Sequence, residues 1–126
     1  MAGRVVHFEI PAANVKRARE FYTKAFGWQI NDHPGMNYAT VGTTESDDRG
    51  MPKHPGAING GMLKRKKPVS APVITIDVED IDASLEEIKE LGGTVAAKKQ
   101  MVGEMGFSAY FKDTEGNVVG LWQSAQ

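Results

Sequence analysis

The sequence predicts an α+β fold built from two tandem βαβββ modules, and three observations carry that prediction. The chain has a strand-then-helix opening twice. Val5-Val6-His7-Phe8-Glu9-Ile10 leads into a helical run ending at Phe26-Gly27, and Val73-Ile74-Thr75-Ile76-Asp77-Val78 leads into one ending at Leu91-Gly92-Gly93. The two copies keep one offset: His7 and Val73, like Val15 and Ile81, are 66 residues apart (73 − 7 and 81 − 15). A period that long fits two half-domains rather than a solenoid of short repeats. Finally, only one connection in each copy is long enough for a helical crossover, which excludes a doubly wound parallel sheet.

In the first strand Val6, Phe8 and Ile10 face one way and Val5, His7 and Glu9 the other, because strand side chains alternate. Pro11 ends that strand. Asn14 is placed to cap a helix whose apolar stripe is Val15, Ala18, Phe21, Tyr22, Ala25 and Phe26, with Gly27 closing it. Trp28-Gln29-Ile30 and Asn37 to Val41 read as strands about a Pro34-Gly35 turn. Residues 42–56 read as a long loop, of the kind that serves as a lid or an unordered insert. Ala57 to Leu63 reads as the closing strand of a module spanning residues 1–63. A linker at 64–70 contains the basic run Lys64-Arg65-Lys66-Lys67, read as a solvated segment.

Module two, residues 71–126, opens with a strand that places Ile74, Ile76 and Val78 on one face. Asp80 is placed to cap a helix with Ile81, Leu85, Ile88 and Leu91 as its stripe. Thr94 to Val102 and Phe107 to Lys112 read as strands around Gly103-Glu104-Met105-Gly106. Asp113-Thr114-Glu115-Gly116-Asn117 then turns the chain into Val118 to Gln123. The expected whole is one domain, a cupped, barrel-like mixed sheet with the helices outside.

Composition narrows function. The 126 residues hold 15 basic and 16 acidic side chains, a net charge of −1, which gives no bulk field for nucleic acid or an anionic membrane. No run approaches the ~20 apolar residues of a membrane span, and the first residues lack the apolar core of a secretory signal. With no cysteine in the sequence, disulfides, thiolate metal sites and cysteine nucleophiles are excluded within it. A cytoplasmic domain is the expectation. Asn59-Gly60-Gly61 lacks the helix and lysine of a phosphate loop. The acidic cluster Asp77, Glu79, Asp80 and Asp82 straddles a strand end and a helix start, where capping explains it.

The phrase Phe21-Tyr22-Thr23-Lys24-Ala25-Phe26-Gly27-Trp28, with Val6 to Ile10, Val78 to Ala83 and the later Asp113-Thr114-Glu115-Gly116-Asn117, resembles the vicinal oxygen chelate superfamily. That group includes glyoxalase I, bleomycin-resistance proteins and extradiol dioxygenases, and the likeness is closest to its small bacterial glyoxalase-like branch. The resemblance implies a cavity between paired modules and symmetric homodimers. In metal-dependent members it also implies ligands at four slots, on the first and last strand of each module. A cation there acts as a Lewis acid on neighbouring substrate oxygens. Here His7 is the only matching slot. The last strand of module one offers Asn59, Gly60, Gly61 or Met62, while Val73 and Gly120 stand at the slots of module two. A family-type metal is therefore not expected, and no other cofactor is indicated.

The residues expected to line the ligand cavity are His7, Glu9, Tyr38, Thr75, Phe107, Tyr110 and Trp122, with His7 and Glu9 as the candidate acid–base pair. His7 also has a plain structural reading, as a half-buried ring satisfied by a neighbouring hydroxyl or carboxylate. His33 and His54 fall in Pro- and Gly-rich stretches and read as solvated. The expected function is metal-free binding of a small organic molecule. The alternative is a glyoxalase-like lyase or dioxygenase-type enzyme using His7 as metal ligand or as acid–base.

Overall fold

The computed structural model describes residues 2–33, 35 and 37–125; Pro34, and with it half of the expected Pro34-Gly35 turn, lies outside them. The chain is α+β, with β1 (Arg4–Ala12), α1 (Val15–Phe26), β2 (Gln29–His33), β3 (Tyr38–Gly42) and β4 (Gly60–Lys64). These are followed by β5 (Val73–Asp77), α2 (Ile81–Glu90), β6 (Thr94–Val102), β7 (Gly106–Lys112) and β8 (Val118–Ser124). It divides into two compact units: His7–Pro72, and Val73–Gln126 together with Met1–Val6.

In the first unit the strands lie in the order β2-β3-β4-β1, with β1 and β4 parallel and the other pairs antiparallel. In the second the order is β5-β8-β7-β6, again with one parallel pair, β5 with β8. Each unit is thus the same βαβββ arrangement, because α1 or α2 is the only crossover long enough to return the chain parallel to its first strand.

Both helices start where the sequence places their caps. The Asn14 side chain accepts the Arg17 N–H at 3.0 Å, and the Asp80 side chain accepts the Ala83 N–H at 3.1 Å. Gly27 closes α1 at φ 71°, a left-handed conformation that glycine adopts without steric cost. The core of the first unit is Ile30, Ala39, Val41 and Met62, with Phe8, Ile10, Val15, Ala18, Tyr22 and Trp28 packed on it. Phe21 and Phe26 do not join it. They are 61% and 64% exposed and lie against Tyr22 on the outside of α1, so the buried stripe of that helix is narrower than its sequence pattern. In the second unit Ile81, Leu85, Ala109, Phe111 and Leu121 form the core. Leu91 stands outside it because the helix has already ended at Glu90.

The segment 42–56 is more ordered than its composition predicts. Asp47 Oδ1 accepts the N–H groups of Arg49 (2.8 Å) and Met51 (2.9 Å), and the Asp47 N–H donates to the Met51 carbonyl at 2.8 Å. Asp113 makes the same three bonds, to Glu115 (2.8 Å), Asn117 (2.9 Å) and the Asn117 carbonyl (3.0 Å). Gly50 and Gly116 sit at the matching step, at φ 80° and 83°. Asp47 and Asp113 are again 66 residues apart (113 − 47), so both units carry one hairpin turn at one place in the repeat. The first unit then adds a connector before β4. Its Asn59 side chain accepts the Thr43 N–H at 2.8 Å, which holds Asn59 in a loop where a strand was expected.

Candidate functional site

Strand register lines up one polar face on the first unit. Glu9 pairs with Gly61, Gly61 with Thr40 and Thr40 with Asn31, so these four share a row across β1, β4, β3 and β2. His7 lies two residues before Glu9 and shares its face. Phe8, Ile10 and Met62 turn the other way, into the α1 core. Glu9 is only 7% exposed, and among the described residues no buried side-chain polar atom lacks a hydrogen-bond partner.

His7 meets Tyr38 on this face. Its Nε2 lies 2.7 Å from Tyr38 Oη, and the rings are stacked with planes 12° apart. One proton closes the bond, on Nε2 or on the hydroxyl according to the imidazole tautomer. Burial pushes the His7 pKa below its ordinary value, and the Glu9 charge opposes that shift only in part. The ring is therefore neutral near neutral pH and able to accept a proton. His33, expected in a loop, ends β2 instead and bonds the Thr40 hydroxyl at 3.1 Å.

Gly61 leaves the room that this pair uses. A Cβ at Gly61 would run into the Tyr38 hydroxyl and ring, so the tyrosine crosses β4 only because position 61 has no side chain. In the second unit Thr75 pairs with Gly120 as Glu9 pairs with Gly61, and a Cβ at Gly120 would come within 2.8 Å of the Thr75 hydroxyl. Thr75, Tyr110 and Trp122 share one face of that unit: Gly120 is opposite Thr75 on one side and Tyr110 on the other, and Trp122 follows it by two residues. The Trp122 indole lies over Gly106. Phe107 departs from its expected place. Its parity is opposite to that of Tyr110, so it packs on the α2 cluster, with Lys99 Nζ 4.6 Å from its ring centroid.

These donor sets do not fit a family-type metal centre. In the first unit the register selects Gly61 as the partner of the first strand, and in the second Val73 and Gly120 hold the slots; none carries a side-chain ligand atom. Among the described residues no three His, Asp or Glu side chains gather to hold a metal ion. Two members of the acidic cluster serve the local structure, Asp80 as cap and Asp82 paired to Lys99 at 3.1 Å.

The fold and this doubled arrangement agree with comparison to known proteins. Residues 4–121 match the Glyoxalase/Bleomycin resistance protein/Dioxygenase superfamily, and the chain belongs to it. The CFP32 proteins of Mycobacterium bovis and Mycobacterium tuberculosis are 28% identical over 92% of this chain, which spans only 44% of their length. A glyoxylase-like domain-containing protein of Didymella fabae is 29% identical, over 91% of this chain and 89% of that protein. A Vibrio parahaemolyticus protein named "Probable lactoylglutathione lyase" is 26% identical, over 98% of this chain and 93% of its own. Among solved structures, hypothetical protein BH1468 of Bacillus halodurans superposes with a TM-score of 0.68 at 14% identity, covering 100% of this chain and 97% of that one. Streptomyces coelicolor methylmalonyl-CoA epimerase does so at 0.67 and 18%, covering all of both chains. At such identities these structures establish the fold alone. No helix among the described residues is long and apolar enough to cross a membrane.

Proposed function

We propose that this protein binds a small organic molecule without a metal, on the face of the first unit that carries His7, Glu9 and Tyr38. The observation that supports this most is the 2.7 Å bond between a half-buried His7 and Tyr38, on a face where Glu9 is also buried. Such a surface offers one exchangeable proton, a carboxylate and aromatic walls, which suits a planar ligand bearing carbonyl or hydroxyl groups. 4-Hydroxybenzaldehyde, a planar ring with one carbonyl and one hydroxyl, is a fitting first probe. Saturable binding by the untagged protein, weakened by Tyr38→Phe and by His7→Ala, is the expected result.

The metal-free part is tested separately, by metal content after purification and by titration with nickel, zinc, manganese and ferrous ions. Stoichiometric binding that His7→Ala abolishes would overturn it. The relatives named as glyoxylase or lactoylglutathione lyase, with the neutral His7 beside Glu9, favour a second reading as an enzyme. Neutral His7 would take a proton from the carbon next to a carbonyl, the Tyr38 hydroxyl would hydrogen-bond the oxygen that gains charge, and the His7 imidazolium would return the proton to the former carbonyl carbon. Turnover of the hemithioacetal of methylglyoxal and glutathione to S-lactoylglutathione, lost in His7→Ala, would establish that reading. The proposal also takes the protein to be a cytoplasmic homodimer, and sedimentation equilibrium showing only monomer would remove the dimer.

A further inference from the structure

A concavity lies on the first unit, on the side of the sheet that packs on α1. It has a volume of about 390 Å³, with Ile10 and Ala12 of β1 and Phe21 and Tyr22 of α1 in its lining, and Arg17 and Arg65 among its lining residues. Neither His7 nor Glu9 is among its lining residues, and Ile10 and Ala12 alternate with Glu9 along β1; Pro11, at the end of the strand, lines it too.

Its charge is one-sided. Among the described residues no acidic side chain lines it, and neither arginine has a carboxylate within ion-pairing distance. Arg65 comes from the basic run read as a solvated linker, yet its backbone continues the pairing of β4 with β1. Its backbone N–H donates to the Ala12 carbonyl at 2.9 Å, and its guanidinium lies 3.5 Å from the Pro11 carbonyl. The aromatic side is equally fixed: Tyr22 stacks on Trp28 with centroids 4.9 Å apart, and Phe21 meets Tyr22 edge-on at 5.1 Å while staying 61% exposed. An apolar floor, an exposed ring and two guanidiniums without a carboxylate partner among the described residues ask for one kind of occupant. Guanidinium groups bind carboxylate and phosphate oxygens through paired N–H donors, and an exposed phenyl ring gains from covering by another ring.

We propose that this concavity is a binding site for a small organic anion, a single planar ring carrying a carboxylate or phosphate that meets Arg17 and Arg65 while the ring lies on Phe21. Its volume is in the range of small-molecule sites. The site stands apart from the His7 face and does not depend on what binds there.

The test is titration of the ¹⁵N-labelled protein with phenyl phosphate and with benzoate, followed by amide shifts, using inorganic phosphate and phenol as the separate halves of the ligand. The expected result is saturable binding with shifts at residues 10–22 and 65, at least about tenfold tighter for phenyl phosphate than for either half. Arg17→Gln and Arg65→Gln, both on the surface and compatible with folding, should each weaken it several-fold and together abolish it, while His7→Ala leaves it unchanged. The proposal is overturned by absence of saturation up to about 10 mM, by inorganic phosphate binding equally well, by unaltered affinity in the double arginine variant, or by shifts confined to the His7 face.

Discussion

The Tyr38 hydroxyl stands where a Cβ on Gly61 would be. These residues face each other on neighbouring strands, β3 and β4, one position out of direct opposition along the face: Gly61 is paired with Thr40, and Tyr38 with Leu63. A tyrosine can lean that far along a strand and still end on His7 only if the residue beneath it is glycine. The same relation recurs on a smaller scale between Thr75 and Gly120. In both units the position that the family resemblance reserves for a ligand-bearing side chain is bare, and a hydroxyl from an adjacent strand has moved over it.

This coupling is measurable. Gly61→Ala displaces the Tyr38 ring and breaks its bond to His7, and an internal hydrogen bond of this kind contributes about 0.5–1.5 kcal/mol. Tyr38→Ala removes the obstruction as well as the bond. In a double-mutant cycle by urea unfolding, Gly61→Ala should be costly in the wild type and much less so beside Tyr38→Ala, with a coupling of about 1 kcal/mol or more. Costs that simply add would mean that Tyr38 does not occupy that space.

His7 should make stability depend on pH. Its folded pKa is lowered by burial, so below its unfolded value of 6.5 the unfolded chain binds the proton more readily than the folded one. Its contribution is fully present above pH 6.5 and is lost as pH falls through the lowered folded value. Denaturant unfolding at several pH values between about 7 and 5 should show stability falling with acid, and His7→Gln should flatten that slope. An unchanged slope in the variant would place the titrating group elsewhere.

The paired turns make a prediction of their own. The Asp47 carboxyl is held below its ordinary value of 3.8 by the Met51 and Arg49 N–H groups, and Asp113 below it by the backbone and side chain of Asn117 and the Glu115 N–H. Carbon-13 titration of the side-chain carboxyls should give midpoints below 3.8 for both. Asp113→Ala should lower the melting temperature above that range and lose its effect in acid, where the wild-type carboxyl is itself protonated. A midpoint at or above the ordinary value would refute the hydrogen-bond account.

What was legible in the sequence follows from how local the signal is. The caps Asn14 and Asp80, the closing Gly27 and the strand parity of His7 and Glu9 depend on a few neighbouring residues, and the structure keeps each of them. Tyr38 beside His7 depends on the pairing of β3 with β4 and of β4 with β1, a relation across 31 residues that no local pattern encodes. Gly61 could not be chosen from Asn59, Gly60 and Met62 until register paired it with Glu9. The Asp47 turn was readable, since Asp47 and Gly50 repeat Asp113 and Gly116 at the same offset, but its polar composition resembles that of an unordered insert. Phe107 departs from the expectation for a simpler reason: it lies three residues before Tyr110 on β7, so strand alternation puts it on the opposite face, with the α2 cluster.

The helix α1 tests the difference between an apolar pattern and an apolar core. Met62 is fully buried beneath it and packs with Ile30, Ala39 and Val41, whereas Phe21 belongs to the same apolar stripe yet is 61% exposed. Removing buried methylene and sulfur from a packed core costs the transfer free energy and leaves a cavity besides, about 2–5 kcal/mol for Met→Ala. Phe21→Ala forfeits mainly one edge contact with Tyr22 and should cost less than about 1.5 kcal/mol. Guanidinium unfolding of the two variants should therefore rank Met62→Ala well below Phe21→Ala in stability. Equal costs would mean that Phe21 is covered in solution, and sedimentation at the same protein concentration would show whether a second copy of the chain covers it.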